Sequence, residues 1–157
     1  MSSGERHSTL AILGGDPVLP PGTIQGWPPI SERDRRMVLD SLQGGKHTFG
    51  PNCVAFQKEF ADWNGNRYAI TTNSGTAALH MCVVACGCGT GDEILVPAYS
   101  WSSSATCILQ HNCIPVFVDI DFDTMNIDLD KIETYITPRT KAMIIVHLHG
   151  LPVDMDR

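Results

Sequence analysis

Long apolar runs are missing. The stretch Leu10 to Leu13 is cut short by Gly14-Gly15, far below a membrane span or a signal-peptide core, and the polar start MSSGERHST fits neither. Positive charge is scarce too: 11 Lys+Arg stand against 17 Asp+Glu, a net charge of −6, and the basic residues are scattered apart from Arg33, Arg35 and Arg36. That argues against a nucleic-acid groove and against an anionic membrane patch. No G-x-S-x-G elbow is present, so a serine-hydrolase nucleophile has no setting. Cys82, Cys86 and Cys88 have no partner cluster at zinc-like spacing. Together with Cys107 and Cys113 they sit in apolar surroundings and read as buried free thiols of a cytoplasmic protein.

What is present is globular material. Hydrophobic residues make up 43% and charged residues 18% of 157, one domain's worth of chain with enough apolar side chains for a core. Residues 1–30 hold Pro17, Pro20, Pro21, Pro28 and Pro29 and read as an irregular arm, because proline forbids a long helix or a central strand. Ser31 with Asp34 is an N-cap pattern, and Met37, Val38, Leu39 and Leu42 supply an apolar stripe up to Gly44-Gly45, giving a helix over about 32–43. A second helix over about 51–63 opens with Pro51 and carries Val54, Phe56, Phe60 and Trp63.

From there strands and helices alternate. The pattern predicts strands at 68–72, 93–96, 115–118 and 141–147 and helices at 77–86, 101–111 and 128–136. Such β-α-β alternation implies a mostly parallel sheet. The last strand, ending in HLHG, lacks the elements that should cover it, so the chain reads as the N-terminal part of a larger protein.

Gly87-Cys88-Gly89-Thr90-Gly91 follows a helix and precedes a strand, the wrong polarity for a dinucleotide loop, and reads as a helix C-cap and turn. Asn73-Ser74-Gly75-Thr76 has the right polarity. It joins a strand end to a helix start, where free N–H groups, the helix dipole and two hydroxyls suit a phosphate dianion, although an ordinary N-cap uses the same residues. Pro97-Ala98-Tyr99-Ser100-Trp101 lies at the carboxyl end of the next strand, where an aromatic ring can stack on a flat heterocycle or fill a core or interface. His147 and His149 alternate along a strand and so face opposite ways, which argues against shared metal ligation. Asp119, Asp121 and Asp123 lack the glycine and terminal Glu of a calcium loop and read as a solvated turn. The lysines Lys46, Lys58, Lys131 and Lys141 fall away from the phosphate loop.

Taken in order, Gly50 to Ala61, YAITTNSGTAALH from Tyr68, GTGDEILVPAYSW from Gly89, PVFVDID from Pro115 and ITPRTKAMIIVHLHGLPVDMD from Ile136 resemble the DegT/DnrJ/StrS family of pyridoxal-phosphate-dependent sugar aminotransferases. LAILGG and GWPP are similar to members acting on keto-inositols or forming aminohydroxybenzoate. The resemblance implies an α/β chain of fold-type-I large-domain architecture, incomplete here, with a mostly parallel sheet, helices on both faces and residues 31–157 as its N-terminal part. It implies pyridoxal 5′-phosphate as cofactor, Ser74, Gly75 and Thr76 in the turn that binds its phosphate, and Trp101 stacked on its ring. It further implies a homodimer in sugar biosynthesis that moves an amino group from glutamate or glutamine to a keto-sugar or keto-cyclitol. The family's pyridinium-pairing Asp and Schiff-base Lys lie beyond Arg157, so no catalytic residue is expected in this chain and it should not transaminate alone; Lys141 is no substitute. Two alternatives stand beside this: a dehydratase of the same fold with His for that Lys, and a non-catalytic short chain that binds a full-length partner. Tyr99, His147, His149 and the Thr48-Phe49-Gly50 turn are further candidates for the substrate side.

Overall fold

The computed structural model describes residues 10–157; the polar segment MSSGERHST lies outside the described residues. The chain divides into two compact units, one up to Ala69 and one from Ile70 to Arg157. In the first, a 3-10 turn at Ala11–Leu13 is followed by turns and bends through residue 30, as the proline density requires. Helix α1 (Glu32–Gln43) starts with a capping box: the Ser31 hydroxyl accepts from Asp34 N–H at 3.2 Å, and the Asp34 carboxylate accepts from Ser31 N–H at 2.7 Å. Helix α2 (Pro51–Asn64) has proline in its first turn and ends on Gly65 at φ 71°, a left-handed stop that glycine adopts freely. Both expected apolar stripes form on these helices, yet Met37, Val38, Leu39, Leu42, Phe56, Phe60 and Trp63 are exposed. Ring contacts Phe56–Phe60 (5.9 Å) and Phe60–Trp63 (5.8 Å) tie the second stripe together.

The second unit holds the sheet. Its elements are α3 (Gly75–Ala85), β1 (Glu93–Pro97), α4 (Ser103–Leu109), β2 (Ile114–Val118), α5 (Ile132–Tyr135) and β3 (Thr140–Met143). All three strands are parallel in the order β2-β1-β3. Central β1 is buried at every position, which explains why EILVP is an unbroken apolar run after Glu93 instead of an alternating one. On one face Ile94 and Val96 pack with Val83 of α3 and Cys107 and Ile108 of α4. On the other, Leu95 and Val118 pack with Ile127, Val153 and the α5 residues Ile132 and Tyr135. The parallel sheet covered on both faces matches the sequence expectation.

Four expectations need correction. Residues 68–72 pair with none of the three strands; β-propensity alone makes no strand without a ladder partner. The helix expected over 128–136 shrinks to α5, because the Asp128 side chain accepts from Asp130 N–H at 3.0 Å and holds that stretch as a turn. At its other end Pro138 favours extended backbone before it. The last strand stops at Met143, since Leu148 N–H goes to the Asn126 side chain and His149 takes φ 52°. Cys82 and Cys86 are exposed, whereas Cys88, Cys107 and Cys113 are buried free thiols. Burial pushes those last three up from the usual thiol range.

Glu93 opens β1 with a side chain only 5% exposed. Its carboxylate accepts from Thr137 Oγ1 at 2.6 Å and pairs with the Arg139 guanidinium, so the turn before β3 is fastened to the central strand. The Thr137 hydrogen bond, followed by Arg139, holds the Glu93 carboxyl below its ordinary range. A folded-state value below the unfolded one stabilises the protein above the unfolded value, and this is lost as pH falls through the folded one. Glu93→Gln is therefore expected to lower the melting temperature at neutral pH and to flatten its decline through the acidic carboxylate range, as calorimetry across pH would read.

Candidate functional site

Parallel β-α-β sheets build ligand sites at the carboxyl ends of their strands. Helix α3, 11 residues long, runs to the turn that feeds the start of β1. Its length is roughly 16 Å, about the rise of five-residue β1, which brings its N-terminus level with the carboxyl edge. There Ser74 is the N-cap, its hydroxyl accepting from Ala77 N–H at 3.2 Å. Thr72 Oγ1 donates to the Ser74 carbonyl at 3.0 Å and fixes the approach. Gly75 and Thr76 N–H, in the first turn, are not used within the helix, and that turn contains no acidic residue. A Cβ at Gly75 would meet no atom within 4 Å, so the backbone stands open to an incoming group. Ser74 and Gly75 are exposed and Thr76 is half-buried.

β1 delivers the second part. After Pro97 the chain turns through Ala98, whose N–H donates to Val118 O at 2.8 Å, and Ser104 N–H closes back on Trp101 O at 3.0 Å. The hydroxyls of Ser100 and buried Ser104 lie 2.7 Å apart, so Trp101 stands on a turn anchored in the core. Its side chain is 80% exposed, which removes the alternative of a core tryptophan in this unit. Tyr99 is exposed on the same turn.

β3 delivers the third. Ile144 N–H still bonds Leu95 O at 2.9 Å, one residue past the register Leu95↔Met143, and the chain then runs beyond the carboxyl end of β3 to His147. His147 and His149 do not alternate along a strand as expected: His149 is in a left-handed turn beyond it. Lys141 lies at the opposite, amino-terminal end of the sheet, since Glu93 pairs with Thr140. The Thr48-Phe49-Gly50 turn belongs to the first unit. There Gly50 is obligatory, because a Cβ would come 2.6 Å from the Lys46 carbonyl oxygen.

Residues 28–157 match the model of the DegT/DnrJ/EryC1/StrS aminotransferase family. The chain belongs to that family. Among its relatives, GDP-perosamine synthase of Caulobacter vibrioides is 48% identical over 130 residues, covering 82% of this chain and 35% of that protein. L-glutamine:2-deoxy-scyllo-inosose aminotransferase of Streptomyces fradiae is 36% identical over 156 residues, covering 95% of this chain and 37% of that protein. The crystal structure of NtdA from Bacillus subtilis with bound cofactor PMP superposes with a TM-score of 0.74 at 38% identity, over 81% of this chain and 30% of that one. The chain thus spans about a third of the length of the curated relatives it matches.

The donors at this edge fit such a cofactor. Two backbone N–H groups, the Ser74 and Thr76 hydroxyls and the positive end of α3 match a phosphate dianion, and an uncovered indole matches a pyridine ring. The Asp121 carboxylate accepts through Oδ1 from Thr124 N–H (2.8 Å), Thr124 Oγ1 (2.9 Å) and Asp123 N–H (3.1 Å) in a local turn. Those bonds, Thr124 first, hold it below the usual carboxylate range. Among the described residues no three His, Cys, Asp or Glu side chains converge on a metal position, and no helix is long and apolar enough to cross a membrane.

Sequence reading missed Asn126, 5% exposed, which holds the turn after β3. The signal was an amide beside apolar Ile127, where burial demands partners. One further expectation attaches to the cap. Ser74→Ala removes the acceptor for Ala77 N–H and should lower stability by about 1 kcal/mol, read as an earlier denaturant midpoint; Ser74→Asp should restore it.

Proposed function

We propose that this chain is the N-terminal part of an aminotransferase that moves an amino group from glutamate or glutamine to a keto-sugar or keto-cyclitol, with residues 31–157 forming the N-terminal part of its PLP-binding large domain. The observation that supports it most is a Ser74-capped helix N-terminus with no acidic residue in its first turn, together with the exposed Trp101 indole, in a member of a family whose relatives include sugar and cyclitol enzymes.

Each residue has a bounded role. Gly75 and Thr76 donate backbone N–H groups to the cofactor phosphate, with the Ser74 and Thr76 hydroxyls beside them, and the open space at Gly75 lets oxygen approach the backbone. Trp101 covers one face of the ring, excludes water from it and fixes its plane. The bound cofactor supplies the electron-withdrawing ring that transamination requires. The amine that would carry it is not offered by Lys131, which pairs with Asp119 and Asp128, nor by Lys141 at the far end of the sheet. It is assigned to a lysine of the full-length polypeptide.

The test is a transamination assay on purified full-length polypeptide with glutamate or glutamine and a panel of nucleotide-linked keto-sugars and keto-cyclitols. Amino transfer to one of them, with the oxo acid released in equal amount, is the expected result. Loss of a hydroxyl from the sugar without net amino transfer would move the assignment to dehydration, and no cofactor binding by the full-length polypeptide would remove it. A homodimer with cytoplasmic residence completes the reading, checked by light scattering and fractionation.

A further inference from the structure

His147 is tied down on one side only. Its Nδ1 accepts a hydrogen bond from Val153 N–H at 3.0 Å. Because the backbone group is the donor, Nδ1 carries no proton in this arrangement, and the neutral ring must carry its proton on Nε2. Val153 is buried in the core on the α5 side of the sheet, so the acceptor side of the ring is anchored. His147 is otherwise exposed, beyond the carboxyl end of β3.

The turn that carries His147 is locked from a second direction. Asn126 Oδ1 accepts from Leu148 N–H at 3.0 Å, and Asn126 Nδ2 donates to Leu151 O at 3.0 Å. One buried amide thus spans residues 148–151, the four that follow His147. Asn126 is itself fixed, its carbonyl accepting from Asp121 N–H at 2.8 Å beside the Ile120↔Ile127 bridge. A loop of 3-10 and left-handed residues has little stiffness of its own. Here its orientation is imposed by the 126 side chain and the 147–153 bond together.

We propose that His147 is a ligand-binding residue of this edge, donating Nε2–H to an oxygen acceptor of the phosphorylated cofactor, with Asn126 as its positioning residue. The proposal rests on the cofactor reading above. It goes further in fixing the chemistry: a single-tautomer donor selects an oxygen with a free lone pair, and an N–H or ammonium group placed there would be rejected.

The tautomer is read directly by nitrogen-15 NMR of the histidines in the full-length polypeptide, with no substitution needed. An unprotonated Nδ1 and a protonated Nε2 at His147 are expected; a proton on Nδ1 overturns the proposal. Calorimetry with pyridoxamine 5′-phosphate gives the second reading. His147→Asn keeps an acceptor near the Nδ1 position for Val153 N–H but has nothing where Nε2–H was. It should weaken binding about tenfold, the cost of one hydrogen bond to a polar ligand, while Val153 amide protection stays. Affinity equal to the parent overturns the proposal. Asn126→Ala should average the His147 nitrogen signals between tautomers and free the Leu148 amide; unchanged signals and affinity would remove Asn126 from the role. A parent that binds no pyridoxamine 5′-phosphate defeats the cofactor reading and this inference with it, whereas a binding parent with an unaffected His147→Asn defeats this inference alone.

Discussion

Thr76→Asp is expected to leave folding intact or slightly improved while lowering pyridoxamine 5′-phosphate affinity at least a hundredfold. The two effects have opposite sign because the same field acts on both. A carboxylate in the first turn of α3, which has no acidic residue of its own, interacts favourably with the positive helix end by about 0.3–1 kcal/mol. It then occupies the place proposed for the phosphate. Two like unit charges about 4 Å apart repel by about 4 kcal/mol at an effective dielectric of 20, and a dianion feels more, so the loss corresponds to a factor of at least about 100. Thr76→Val is the neutral comparison: it keeps the backbone N–H groups, loses one hydroxyl and should cost about tenfold or less. Denaturant titration and calorimetry on the same full-length preparations separate the two quantities. If Thr76→Asp binds as the parent does, the cofactor phosphate is not at this helix end.

The sequence shows the elements of the second unit more clearly than their ends. Ile94, Leu95 and Val96 form a strand buried on both faces, so an unbroken apolar run marks it. Ser74 caps α3 for reasons local to four residues, and such features are legible because their cause is short-range. Errors fall where a distant group decides. Residues 68–72 look like a strand on propensity, but a ladder depends on a partner. β3 ends where Asn126, 22 residues earlier in the chain, takes Leu148 N–H, which no periodicity announces. Cys82 and Cys86 sit in an apolar stretch on the same helical stripe as Leu79 and Val83, yet they stay exposed while Val83 enters the core. The functional edge follows the same division. Ser74, Gly75 and Thr76 are visible as a strand-to-helix junction and Trp101 as an aromatic at a strand end, whereas the lock on His147 exists only in three dimensions.

The core that sets this edge gives the largest expected loss of stability. Ile108 of α4 is fully buried and packs in the cluster formed by Val83 of α3, Ile94 and Val96 of β1, and Cys107. Ile108→Ala removes three carbons from a site walled by two helices and the central strand, where collapse is restricted, and should cost 2–5 kcal/mol (an order-of-magnitude range for such truncations). Its neighbour Leu109 is 56% exposed, and Leu109→Ala on the same helix should stay within about 0.5 kcal/mol. The contrast matters for function because α4 begins just after the Trp101 turn and α3 at the turn proposed to bind the phosphate, and the two helices meet through this cluster. Loosening the cluster should therefore weaken pyridoxamine 5′-phosphate binding even under conditions where the protein remains mostly folded, with faster amide exchange in α3 as the accompanying sign. Ile108→Val, one methyl smaller, should lose only about 0.5–1.5 kcal/mol and retain affinity. A small loss for Ile108→Ala, matching Leu109→Ala, would mean that the α3-α4 packing does not carry the edge and that the positions of Thr76 and Trp101 are set by other contacts.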